Sequence, residues 1–133
     1  MLSLTINTNL KQVHSSETNE VILPTSEGLI GIMTGHLPMI TKLSFGELLI
    51  KSNGGYEKMI LGGGIAEVRE DRVKLLVPYA EKPEDIDLDR ALDAKNRAEK
   101  RIADPEEDWD LDRAAIALAR AIMRIRLSGK TEI

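Results

Sequence analysis

Between residues 3 and 77 the apolar side chains come in short runs that alternate with polar ones, whereas after Pro78 they recur every three or four residues. Alternation with period two puts successive side chains on opposite faces of a strand, and a three-to-four repeat puts them on one face of a helix. The first region therefore predicts short strands at 3–8, 11–15, 20–24, 28–33, 39–43, 46–51, 56–61, 65–69 and 72–77, spaced closely enough for a sandwich or barrel. Asn53-Gly54-Gly55 and Glu70-Asp71 supply residues suited to tight turns, so hairpins are expected at both places.

The second region contains no glycine until Gly129. Its pattern predicts a boundary near 78–85 and a first helix over about 86–103, with Asp85 as its cap and Asp87 and Asp89 near its positive end. Pro105 forbids simple continuation. Asp104-Pro105-Glu106-Glu107 is itself a helix-start signal, so a second helix is expected from there or from near Asp110. Leu111, Ala115, Leu118, Ile122 and Ile125 form an apolar seam on it, and Ala91, Ala94, Ala98 and Ile102 a small-residue seam on the first helix. Together the halves predict an α+β chain: an N-terminal β-rich domain followed by an antiparallel two-helix hairpin. Burial is worth about 0.8 kcal/mol per methylene, so an alanine-rich interface stabilises the hairpin only modestly and leaves it free to open or repack.

Composition narrows the function. The chain has 133 residues, 42% of them hydrophobic but only 3% aromatic, so aliphatic side chains must build the core. Eighteen basic against 22 acidic residues give a net charge of −4, which offers no excess of positive charge to a nucleic acid. Cysteine is absent, which excludes disulfides, thiolate metal sites and cysteine nucleophiles. No apolar run approaches the roughly 18–20 residues of a membrane span, and the polar start lacks the long apolar stretch of a signal peptide, so a soluble or peripheral protein is expected.

Few residues carry chemistry. Gly62-Gly63-Gly64 lacks the Lys-Ser/Thr of a phosphate loop and leads into a strand, so close backbone approach or a bulge explains it better than a nucleotide. His14 and His36 lie at no metal-ligand spacing, and no nucleophile elbow appears, so neither a metal nor a catalytic site is expected. The segment from Gly28 to Pro38 mixes apolar residues and glycines with His36. It is either an ordinary strand and turn or a docking surface built on Leu29, Met33 or Leu37. Asp87, Arg90 and Arg97 share one face of the first helix, and Arg113, Arg120 and Arg124 one face of the second. Such charges usually form a solvated surface. Arg120 and Arg124, however, stand four apart with no acidic residue three or four positions away, a repulsion of roughly 0.2–0.5 kcal/mol that the other helix, a partner subunit or a phosphate would relieve.

Glu20-Val21-Ile22-Leu23-Pro24, Gly31-Ile32-Met33-Thr34-Gly35-His36-Leu37-Pro38, Gly62-Gly63-Gly64-Ile65-Ala66-Glu67-Val68 and Val73-Lys74-Leu75-Leu76-Val77, in that order and before a helical tail, resemble the epsilon subunit of bacterial and chloroplast F-type ATP synthases. The likeness covers nearly the whole chain. One departure is Thr34, where many relatives have proline. The resemblance implies a β-sandwich at 1–83 and a helical hairpin at 84–133, in a non-catalytic rotor subunit that joins the gamma stalk to the ring of c subunits through Leu29, Met33 and His36. It implies no catalytic cofactor, and a place on the cytoplasmic face of a bacterial plasma membrane or the stromal face of a thylakoid. In the family the hairpin folds back or extends toward the alpha/beta head, where it hinders ATP hydrolysis. Some members bind regulatory ATP, and their pattern resembles Glu81, Ile86, Asp87, Arg90, Ala91, Arg97, Arg120 and Arg124 here. The implied division places Arg97, Arg120 and Arg124 on phosphates and Glu81, Ile86, Asp87, Arg90 and Ala91 around adenine and ribose.

Overall fold

The computed structural model describes residues 1–103 and 110–128. The chain forms two compact units, Met1–Lys82 and Pro83–Ile133.

In the first unit, β1 (Leu2–Asn7), β2 (Gln12–Thr18), β3 (Glu20–Thr25), β4 (Gly28–Met33), β5 (Met39–Ser52), β6 (Gly55–Arg69) and β7 (Arg72–Leu76) make an open sheet, with β8 (Ala80–Glu81) paired to β6. The strand order is β2-β1-β7-β6-β5-β3-β4. All pairings are antiparallel except β1 with β7. The sheet folds over as a β-sandwich around Leu2, Leu4, Ile6, Leu23, Ile32, Leu48, Leu61 and Leu75, all without solvent exposure. Alternation in β1 produces this directly: Leu2, Leu4 and Ile6 point inward while Ser3 points out.

The expected strands 39–43 and 46–51 are one strand, β5, and 56–61 and 65–69 are one strand, β6. Their register runs unshifted from Met39 opposite Val68 to Ser52 opposite Gly55. The glycines that suggested interruptions lie inside this long hairpin, with Gly64 opposite Leu43 and Gly62 opposite Phe45. Gly62 lies under the ring of Tyr79, leaving no room for a Cβ. Gly64 has φ +115° and packs against the backbone of Leu76 and Val77. Close approach, one of the two explanations open at these glycines, therefore holds at both. The turn at Asn53-Gly54 closes β5 onto β6, and that at Glu70-Asp71 closes β6 onto β7. Glu70 and Asp71 have φ of 50° and 60°, the left-handed values that a type I′ hairpin turn requires at both positions.

Every buried member of this core lies between Leu2 and Val77. A fragment of residues 1–83 is therefore expected to unfold in one cooperative transition in urea. A fragment with broad, non-cooperative loss of β signal would contradict a self-sufficient core.

The second unit opens with a 3-10 turn, Pro83–Asp85, followed by α1 (Leu88–Ala103) and α2 (Leu111–Ser128). α1 is capped by Asp87 and not by Asp85. Asp87 Oδ1 accepts the Arg90 N–H at 3.1 Å, and the Asp87 carbonyl accepts the Ala91 N–H at 3.0 Å. Asp85 is already committed to the 3-10 turn. α2 begins after Asp110, whereas the alternative start at Asp104-Pro105 lies outside the described residues.

The two helices pack together, and the 3-10 turn also touches α2. On α1 the buried residues are Ala91 and Ala98, while Ile102 is exposed. On α2, Ala114, Ala121 and Ile125 are buried and Leu118 is half-buried, whereas Leu111 and Ala115 of the expected seam are exposed. Apolar residues cover more than one stripe of α2, so the sequence offered two seams. The inward one passes through alanines, which let helix backbones approach closely.

Candidate functional site

Two groups of residues stand out. The first begins on β4, an edge strand whose alternation buries Ile32 and turns Leu29 and Met33 outward. After it the chain reverses at Met33–His36, where the His36 N–H bonds the Met33 carbonyl at 3.1 Å. Gly35 occupies the third position of that turn with φ +87°, which a type II turn demands. Thr34 thus occupies the place of the family's proline without loss of the turn. His36 lies half-buried, its Nδ1–H donating to the Leu37 carbonyl at 2.7 Å, so the ring belongs to the loop's own bonding.

Leu29, Met33, Leu37 and Ile40 are 72%, 56%, 78% and 75% exposed along β4, the loop and the start of β5. Single exposed apolar residues are ordinary, but four along one short stretch of chain make a surface suited to a protein partner. Sequence reasoning missed Ile40, and also Ile65 and Leu76, which stand opposite each other on β6 and β7 and are half exposed. A signal existed. Met39-Ile40 and Leu75-Leu76 are adjacent apolar pairs within strands, and one member of such a pair must face away from the core.

The second group is on the helices. Asp87, Arg90 and Ala91 occupy the first turn of α1, and Arg97 lies further along it. Arg90, Arg97 and Arg120 are exposed and Arg124 is half-buried. Ile86 and Ala91 are buried, so their side chains offer little surface to a ligand. Glu81 lies on β8 in the first unit, half-buried. Glu81, Arg120 and Arg124 each already take part in an interaction within the protein.

A repeat unnoticed in the sequence bears on this group. Asp87-Leu88-Asp89-Arg90-Ala91 recurs letter for letter as Asp110-Leu111-Asp112-Arg113-Ala114. Asp110 caps α2 as Asp87 caps α1: its Oδ1 accepts the Arg113 N–H at 3.1 Å, and its carbonyl accepts the Ala114 N–H at 3.0 Å. Ala91 and Ala114 are both buried. The pentapeptide is thus a complete helix-start signal by itself, so its presence alone does not mark a ligand site. Among the described residues no cluster of His, Asp and Glu is arranged to hold a metal ion, and no helix is long and apolar enough to cross a membrane.

Comparison with known proteins places this architecture. Residues 1–83 match the family model of the ATP synthase Delta/Epsilon chain β-sandwich domain, and residues 84–129 that of its long α-helix domain. An ATP synthase epsilon chain of Nitratidesulfovibrio vulgaris (strain DP4) is 42% identical over 128 residues, covering 96% of each chain. That of Symbiobacterium thermophilum is 40% identical over 129 residues, covering 96% of this chain and 93% of its own. Among solved structures, a chain of the Euglena gracilis mitochondrial ATP synthase shares the fold with a TM-score of 0.69 at 20% identity, covering 96% of this chain and 77% of that one. A chain of the Tetrahymena thermophila mitochondrial ATP synthase central stalk and c-ring structure does so at 0.56 and 16%, covering 97% and 94%. With both family models and relatives of this identity matched along almost its whole length, the chain belongs to the delta/epsilon chain family of ATP synthases.

Proposed function

We propose that this chain is the non-catalytic epsilon subunit of a proton-translocating F-type ATP synthase, joining gamma to the c ring in the central stalk. In this reading the sandwich of residues 1–83 docks on the rotor through Leu29, Met33 and the loop at His36. The hairpin of residues 84–133 regulates hydrolysis by extending toward the alpha/beta head. The bacterial epsilon chains among its relatives support a position on the cytoplasmic face of a bacterial plasma membrane rather than in a thylakoid.

The observation that carries the docking is the run of exposed apolar side chains at Leu29, Met33, Leu37 and Ile40. Met33→Glu tests it. The side chain is more than half exposed, so the isolated fold should keep its stability within about 0.5 kcal/mol. A carboxylate buried without a partner in an interface should weaken rebinding to ATP synthase depleted of this subunit by about 30-fold or more. Unchanged rebinding would remove this surface from the rotor interface.

Regulatory ATP is the finer part of the proposal. A triphosphate held by Arg97, Arg120 and Arg124, with Arg90 and Asp87 near the nucleoside, would favour the folded hairpin by binding that state alone. A second reading has support in the interactions that Arg120 and Arg124 already make: these arginines serve protein contacts and no nucleotide binds. Titration calorimetry with ATP and ADP separates the two.

A further inference from the structure

The loop that presents the docking surface is held from outside itself. In the turn at Met33–His36, the N–H of His36 closes the turn, which leaves the N–H of Gly35 without a partner there. Asp71 supplies one: its Oδ1 accepts the Gly35 N–H at 2.8 Å, across 36 positions of sequence. Asp71 occupies the tight turn between β6 and β7 with φ 60°, a conformation costly for residues other than glycine and tolerated best by Asn and Asp. Its own carbonyl accepts the Ser3 N–H at 2.9 Å, which anchors the turn to the start of β1.

We infer that Asp71 is a positioning residue for rotor docking, its carboxylate holding the loop of Met33, His36 and Leu37 in the shape a partner recognises. Glycine would relieve the turn's backbone, whereas Asp adds a charged acceptor aimed at the loop's unused donor. Charge-assisted hydrogen bonds are shorter and stronger than neutral ones, and 2.8 Å falls in their range. The inference rests on the docking surface proposed above. A loop ordered before binding loses less entropy on binding, so the tether acts on affinity without touching the partner.

Asp71→Gly separates this role from a structural one. It removes the carboxylate, suits the positive φ and keeps the backbone bond to Ser3, so the melting temperature should hold or rise. Exchange of the Gly35 amide should accelerate about tenfold, the loss of one such bond. Rebinding to ATP synthase depleted of this subunit should weaken about five- to tenfold. Asp71→Asn keeps the turn and an acceptor oxygen and should recover most of both losses. The tether is overturned if Gly35 exchanges at the wild-type rate in Asp71→Gly. Its role in docking is overturned if exchange accelerates while rebinding is unchanged. Failure of the wild-type chain to rebind would instead overturn the docking reading, and with it the role of Asp71, while the exchange result still judges the tether.

Discussion

Gly64→Ala is expected to destabilise the sandwich by about 3–5 kcal/mol, a large share of the roughly 5–15 kcal/mol that holds a typical domain folded. Two costs coincide. The residue has φ +115°, where an L side chain is strained. A Cβ there would also collide with the carbonyl oxygen of Leu76 and lie 2.9 Å from Val77 Cα. Neither neighbour can yield, because both are backbone: Leu76 pairs with Ile65, and the Val77 N–H bonds the Asn7 carbonyl at 2.9 Å. Urea denaturation measures the loss. Gly55→Ala is the control, because nothing lies within 4 Å of a Cβ at that position. It should change stability by less than about 0.5 kcal/mol. A Gly64→Ala protein within about 1 kcal/mol of wild type would show that the β6–β7 contact relaxes cheaply, against the geometry.

ATP at 100 times its dissociation constant should stabilise the folded hairpin by about 2.7 kcal/mol through mass action, if the regulatory site proposed above exists. Arg120→Ala with Arg124→Ala should abolish that gain, leaving the sandwich transition in place. The repeated pentapeptide provides an internal control. Arg90 and Arg113 occupy the same position in identical helix starts, yet only Arg90 belongs to the proposed site. Arg90→Ala should weaken ATP binding about tenfold or more, while Arg113→Ala should leave it unchanged, since only a charged contact to ligand distinguishes them. Equal effects of the two substitutions would reduce the motif to helix capping. No heat of binding at millimolar ATP would assign Arg97, Arg120 and Arg124 to protein contacts.

The change from period two to period three-to-four was legible because each half is locally consistent: β1 buries Leu2, Leu4 and Ile6 in strict alternation. Both hairpin turns were legible, one because Asn53-Gly54 tolerates left-handed backbone and the other because Glu70-Asp71 is a short polar break between two alternating runs. The continuity of β5 and β6 was not, since Gly62 and Gly64 serve contacts with Tyr79 and Leu76 that only tertiary structure supplies. Asp85, Asp87 and Asp89 are chemically equal candidates for the cap. The 3-10 turn at Pro83–Asp85 decided among them by fixing where the helix starts. For the arginines, only like-charge repulsion was counted, whereas Arg120 and Arg124 each take part in an interaction within the protein. Leu29 and Met33 were legible as exposed from the alternation in β4, whereas the link from Asp71 to Gly35 joins distant turns and leaves no pattern.

The parallel pairing of β1 with β7 has a kinetic consequence. Ser3 meets Arg72 and Asn7 meets Leu76, so one flank of β1 waits for a strand made much later in the chain. The antiparallel partner β2 is close at hand, and that hairpin can form early. Until residues 72–76 leave the ribosome, however, the other side of β1 has no neighbour, and the side chains of Leu2, Leu4 and Ile6 lack their final cover. Contacts of such long sequence separation slow folding, because the chain must lose loop entropy before they form. A nascent chain arrested before β7 should hold its N-terminal hairpin open to chaperones, and release of the next few residues should close the sandwich in a single late step.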